Sequence, residues 1–162
     1  MELIYQIAGI PALWLLLLVS LADKRFMIIP DQFVIGLAIV SIGFIPYQTS
    51  VLSPLYGALA GGGSLLVIGL VARWILKREA MGFGDIKLLA AIGLMAGLKG
   101  ILIILMLTIL SSGLILGGMY LGGRVKKDDE QPLGPFIAMA TAVFILFRPW
   151  LLLVADWYIS LY

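Results

Sequence analysis

The feature that most constrains this chain is a succession of long apolar runs almost free of charge. Six can be read off, at Leu3–Ala22, Phe33–Gln48, Leu55–Leu76, Ile86–Leu98, Ile101–Leu121 and Leu133–Ala155. A helix needs about 20 such residues to cross a bilayer. Composition closes the soluble alternative: 62% of the 162 residues are hydrophobic and 12% are charged. Soluble domains carry roughly 25% charged residues, and half that number cannot cover so much apolar surface with polar groups. The expected fold class is therefore all-α, a polytopic membrane protein of about six transmembrane helices forming a single domain over residues 1–162. The second and fourth runs are short. The fourth is too short to cross untilted and is expected to be a partial span beginning inside the protein, where irregular backbone is tolerated. The first run carries Glu2 rather than a basic residue at its start, and no clear small-residue cleavage site precedes Asp23. It reads as a retained span, not a signal peptide.

The charges matter by location. Lys24, Arg25, Arg73, Lys77, Arg78, Lys87, Arg124, Lys126 and Lys127 flank one set of run ends; Lys99 and Arg148 fall at the other. The positive-inside rule makes the richer face cytoplasmic and places both termini outside a cytoplasmic (inner) membrane. The net charge of +2 is too small and scattered to suggest nucleic acid as a partner. Membrane lipid is the expected surrounding, and oligomeric state is not legible.

Glycines four apart (Gly57/Gly61, Gly93/Gly97, Gly113/Gly117 and Gly118/Gly122) are expected to form close helix contacts, because small-xxx-small ridges let backbones approach. The run Gly61-Gly62-Gly63 is expected to loosen or kink its helix. Lys126 to Gln131 is expected to be a solvated loop.

The chain contains no cysteine and no histidine. That removes disulfides, Cys or His metal sites, Cys–His pairs, Ser–His–Asp triads and two-histidine zinc motifs. No metal or other cofactor is expected. Acid–base chemistry falls to nine carboxylates, a few amines and the tyrosines. Six of these carboxylates (Glu2, Glu79, Asp128, Asp129, Glu130 and Asp156) sit at run ends or in loops and read as solvated, Asp156 as a boundary anchor beside Trp157 and Tyr158. Ionisable groups at membrane depth are costly and mark candidate sites, which leaves Asp23, Asp31 and Asp85. Asp23 ends the first run and Asp85 opens the fourth, so both are expected on the cytoplasmic face. A close pair there shares one proton, and one member takes a proton from water while the other donates to the carbonyl or leaving amine. Each also has a plain structural reading. Asp85, after Gly82-Phe83-Gly84, suits a helix N-cap; Asp23, beside Lys24 and Arg25, suits a boundary charge pair. Asp31, after Pro30, reads mainly as a cap.

These residues also carry a resemblance. Asp23-Lys24-Arg25-Phe26-Met27-Ile28-Ile29-Pro30-Asp31 and Gly82-Phe83-Gly84-Asp85-Ile86-Lys87-Leu88 resemble the two signatures of the type IV prepilin peptidases, which are GxGD-type intramembrane aspartyl proteases. Pro132-Leu133-Gly134-Pro135-Phe136 resembles a third, C-terminal element of the bacterial members. The likeness covers essentially the whole chain. It implies that Asp23 and Asp85 are catalytic, and that Gly82 and Gly84, with Phe83 and Lys87, form a slim loop that a substrate strand approaches. Pro30 and Asp31 would hold the boundary into the second span. It further implies prepilin-like precursors as partners, cleaved after a short basic leader at the cytoplasmic face. The acidic run Asp128 to Glu130 is a candidate for attracting that leader, although a solvated loop is the simpler reading. Many bacterial members add an N-terminal region with paired cysteines and methylate the product; with Asp23 so near the start and no cysteine, a peptidase-only enzyme is expected.

The dipoles at helix ends favour Asp85, at a helix start, as the charged base and Asp23, at a helix end, as the protonated acid. The competing reading from another class is a small cation- or proton-coupled transporter or channel subunit using the same aspartates. Transport sites sit near the bilayer midplane, whereas these aspartates sit at one boundary. Presenilin-type proteases also use GxGD, but place their other aspartate after a tyrosine, whereas Asp23 follows Ala22.

Overall fold

The computed structural model describes residues 2–48, 50–76, 82–123 and 131–160. Five helices account for nearly all of them: α1 (Glu2–Phe26), α2 (Asp31–Ile42), α3 (Ser53–Leu76), α4 (Phe83–Leu121) and α5 (Gly134–Ser160). A single 3-10 turn, Ile45–Tyr47, follows α2. The second apolar run thus yields a helix shorter than the expected Phe33–Gln48, since it stops at Ile42 ahead of Gly43 and Pro46. Proline lacks the N–H a continuing helix would need.

Four helices, α1, α3, α4 and α5, are long and apolar enough to cross a membrane. Large apolar side chains point outward along them, including Ile7, Trp14, Leu59, Leu102, Leu114 and Leu153. A helix apolar on all sides whose outer face meets no protein needs lipid against it.

The fourth and fifth runs are both inside α4. They are divided at Gly97, whose backbone (φ 69, ψ −178) is not helical. Only glycine takes that conformation freely. The break turns the chain back on itself. A Cβ placed on Gly61 of α3 would lie 2.5 Å from Leu89 O and 2.9 Å from Ile101 Cγ1, whereas a straight helix would hold residues 89 and 101 about 18 Å apart. The arm before Gly97 is about 21 Å long, short of the ~30 Å hydrocarbon core, in line with the partial span expected there. Carbonyls left open at the turn are taken by Gln48, whose Nε2 donates to Leu94 O at 2.7 Å and to Met95 O at 3.2 Å.

Glycines set the α3–α4 contact. A Cβ on Gly57 would run into the Gly93 carbonyl oxygen and Gly97, and one on Gly93 would run into Gly57. A Cβ on Gly62 would stand 2.9 Å from Ala90 Cβ. The expected kink at Gly61-Gly62-Gly63 is therefore corrected: α3 runs through it as α-helix, and Gly61 and Gly62 give clearance for α4. Gly113, Gly117 and Gly118 have nothing within 4 Å, and Gly122 meets only carbonyls of its own helix end. Among the described residues, those two pairs make no contact with another helix.

α4 also packs on α2 and α5, and α1 on α2 and α5. Ser41 Oγ joins α2 to α4 by donating to Ala91 O at 3.0 Å. The core between these helices is built from Leu16, Leu37, Leu88, Ile92, Ile101 and Phe144 among others, all nearly inaccessible. α5 departs from helical geometry at Phe147, two residues before Pro149. There Gln6 Nε2 donates to Leu146 O at 3.1 Å, and Arg148 donates to Tyr47 O at 2.8 Å while lying 4.4 Å over the Tyr5 ring. Tyr5 and Arg148 thus meet at one end of the bundle, where Lys99 Nζ reaches Asp156 Oδ1 at 2.6 Å. Asp156 is exposed, as expected, and forms an ion pair with Lys99.

Candidate active site

At the opposite end of the bundle, the end of α1, the start of α2 and the start of α4 enclose a cavity of about 320 Å³. Asp23 and Asp85 both line it, close enough for their charges to interact. Gly82, Phe83, Gly84, Asp31 and Lys87 line it too, with Met27, Ile28 and Ile29. Of the residues singled out in the sequence, only Pro30 is absent from its wall. Pro30 is the extended N-cap of α2 (φ −65, ψ 130), between Ile29 and Asp31, which both line the cavity.

Asp85 does not cap α4. Gly82 is the N-cap, with its carbonyl oxygen accepting from Asp85 N–H at 3.2 Å, and no side chain closes the cap. The Asp85 carboxylate is thereby left for other work: its Oδ1 is buried with no hydrogen-bond partner. A buried oxygen without a partner is costly, which a satisfied structural aspartate would avoid. Gly82 leaves room for this carboxylate, since a Cβ there would stand 3.3 Å from Asp85 Oδ2. Gly84 also has a reason within the chain itself. A Cβ there would stand 2.9 Å from Ile29 Cβ, so its absence lets the α1–α2 turn approach the start of α4.

Asp31 is corrected as well. Its side chain makes no capping bond. Both its oxygens accept from Lys87 Nζ, at 2.9 and 3.0 Å, tying the start of α2 to the first turn of α4 at the cavity edge. No sequence-local signal pairs residues so far apart.

Asp23 is buried, with 6% of its surface exposed. Its Oδ2 accepts a hydrogen bond from Gly134 N–H at 2.8 Å. The third sequence element therefore reaches the site, and Gly134, which no site reading of the sequence included, touches a candidate catalytic group. The dipole ordering of the two aspartates also loses its basis. Asp23 ends α1 but meets the N-terminus of α5, while Asp85 is in the first turn of α4. Both carboxylates face helix starts, so helix ends do not distinguish them. Among the described residues no group of three carboxylates is placed to hold a metal ion. Glu79, with Lys77 and Arg78, and the segment Arg124 to Glu130, including Lys126, Lys127 and the acidic run, lie outside the described residues.

Two carboxylates from different helices at one cavity of about 320 Å³ form an arrangement able to do general acid–base work. No solved structure matches the chain. A prepilin leader peptidase/N-methyltransferase of Xanthomonas campestris pv. campestris is 34% identical over 123 residues, 73% of this chain and 42% of the relative. One from Pseudomonas aeruginosa is 35% identical over 141 residues, 82% and 47%. Another, from Aeromonas salmonicida, is 28% identical over 160 residues, 95% and 53%. The chain thus spans about half the length of the curated relatives it matches. The profile of the type IV leader peptidase family matches residues 10–119, which contain both candidate aspartates. With that span of the profile and relatives above 30% identity, this chain belongs to the type IV leader peptidase family.

Proposed function

We propose that the chain is an aspartic endopeptidase that removes the short basic leader of prepilin-like precursors at the cytoplasmic membrane face. The observation that carries this reading is the convergence of Asp23 and Asp85 on one cavity, each inside the sequence element that suggested it. In the proposed mechanism the pair holds one proton between two carboxyls. The ionised member takes a proton from water, the water oxygen bonds to the scissile carbonyl carbon as its C=O π bond opens, and the protonated member donates its proton to the carbonyl oxygen. Collapse of that adduct breaks the C–N bond, and the proton taken from water passes to the leaving amine. No covalent enzyme intermediate is needed.

The single membrane domain, the cytoplasmic orientation and the outside termini belong to the same proposal. In their favour, Lys24, Arg25 and Lys87 lie at the cavity end and Lys99 and Arg148 at the other, the asymmetry that orients membrane proteins. The cavity with Asp23 and Asp85 accounts for the peptidase step. The transporter reading has no observation in its favour, since both aspartates lie at helix ends rather than midway along a span.

The test is cleavage of a purified prepilin bearing a basic leader by the detergent-solubilised protein. Wild type releases the leader, and Asp23→Ala and Asp85→Ala lose on the order of 10³-fold in rate. Cleavage that survives either substitution overturns the assignment; failure of wild type on several prepilin classes overturns the substrate.

A further inference from the structure

Asp23 stands where two helices end. It lies in the last turns of α1, and the first backbone N–H of α5 points at its carboxylate. The first N–H groups of any helix lack partners within it. In α5, Pro135 has none to offer, and Phe136 and Ile137 N–H turn back to Leu133 O at 3.0 and 3.1 Å. Gly134 N–H is the donor that remains, and Asp23 Oδ2 takes it at 2.8 Å.

The approach leaves no space for a side chain at 134. A Cβ there would stand 2.6 Å from Asp23 Oδ2 and 3.0 Å from both Asp23 Cβ and Cγ. Asp23 is buried apart from the cavity it lines, so moving its carboxylate away from residue 134 gives up the Gly134 hydrogen bond and shifts the group within that cavity. The close fit and the hydrogen bond are two separate observations, and both concern the same carboxylate.

We propose that Gly134 is the positioning residue for Asp23. Its N–H fixes one carboxylate oxygen, which leaves the other as the acid–base atom that works with Asp85 on water. The inference rests on the peptidase reading of the site, and it gives Pro132-Leu133-Gly134-Pro135-Phe136 a physical reason. Glycine is required for clearance, and Pro135 sits in the first turn, where a missing N–H costs nothing. A carboxylate held by a backbone donor keeps its orientation as substrate enters, and misplacement by about 1 Å can cost 100-fold in rate.

The test uses the whole chain in detergent, in two arms. In the first, kinetics of prepilin cleavage compare wild type, Gly134→Ala and Gly113→Ala. Gly134→Ala should lose on the order of 100-fold in kcat with KM within about twofold, the pattern of a group that matters in the transition state and not in binding. Gly113→Ala, whose new methyl meets nothing within 4 Å, should keep wild-type kcat. The second arm needs no substrate: thermal unfolding of wild type, Gly134→Ala, Asp23→Ala and the double variant. Gly134→Ala should lower Tm in the wild-type background and much less in the Asp23→Ala background, where the carboxylate it strikes is gone. Folding of Gly134→Ala only in that background supports the same conclusion.

A Gly134→Ala kcat within about twofold of wild type, with both aspartates still essential, overturns the inference and spares the peptidase reading. An equal loss of Tm in both backgrounds, or failure to fold in both, also overturns it. Wild type that cleaves no prepilin strikes the peptidase reading instead, and the unfolding arm then decides the coupling of residue 134 to residue 23.

Discussion

Met27 closes α1 with its N–H donating to Asp23 O at 2.8 Å and its own φ at 55°. It is the only non-glycine residue with positive φ among those described. A side chain in that region costs about 1–2 kcal/mol, and Met27 lines the cavity, so the turn that presents Asp23 is held under strain. Met27→Gly should raise Tm in detergent, by up to about 1 kcal/mol of stability; a lower Tm contradicts this. The Asp31–Lys87 bridge is another matter. Both side chains are about half exposed, so the pair contributes at most about 1 kcal/mol, yet it ties two walls of the cavity together. Asp31→Asn or Lys87→Met should leave Tm nearly unchanged and slow cleavage several-fold, and Asp31→Lys combined with Lys87→Asp should recover part of the loss. Unchanged cleavage in both single variants would show that the bridge has no part in catalysis. At this scale the sequence made Asp23 and Asp85 legible, because a carboxylate at membrane depth is too costly to be incidental. The partners of Asp31 and Asp23 were not legible. They come from α4 and α5, and no local pattern reports which helix ends meet.

The helices were read well where their lengths follow from lipid and less well where they break. Spacing puts Gly97 on a packing ridge, and in the fold it is both contact and turn: it meets Gly57 and it reverses α4. The glycine pairs divide for a physical reason. Spacing places small residues on one face of a helix, but it cannot say whether that face meets a neighbour or lipid. Gly57 and Gly93 meet backbone; Gly113 and Gly117 meet nothing. Gly57→Ala should therefore cost about 1–3 kcal/mol by forcing α3 from α4. Gly113→Ala should change stability by less than about 0.5 kcal/mol. Equal Tm values for the two variants would show that the α3–α4 approach is looser than described.

Across the whole molecule, polarity is sorted by end. The carboxylate cavity occupies one end, while the Lys99–Asp156 pair, Arg148 and Tyr5 occupy the other. Because the chain has no cysteine, an introduced thiol is unique. In intact cells a membrane-impermeant maleimide should label the Ser50→Cys variant and spare Phe83→Cys, whose position at the cavity is well exposed. The reverse pattern would invert the proposed orientation. The central claim is that Asp23 and Asp85 act as one unit, and a double-mutant cycle on cleavage rate tests it most directly. Asp23→Asn and Asp85→Asn should each lose on the order of 10³-fold, and the double variant should lose no more than either alone, as groups serving one step do. Losses that multiply in the double variant, or a single variant that retains wild-type cleavage, would contradict it.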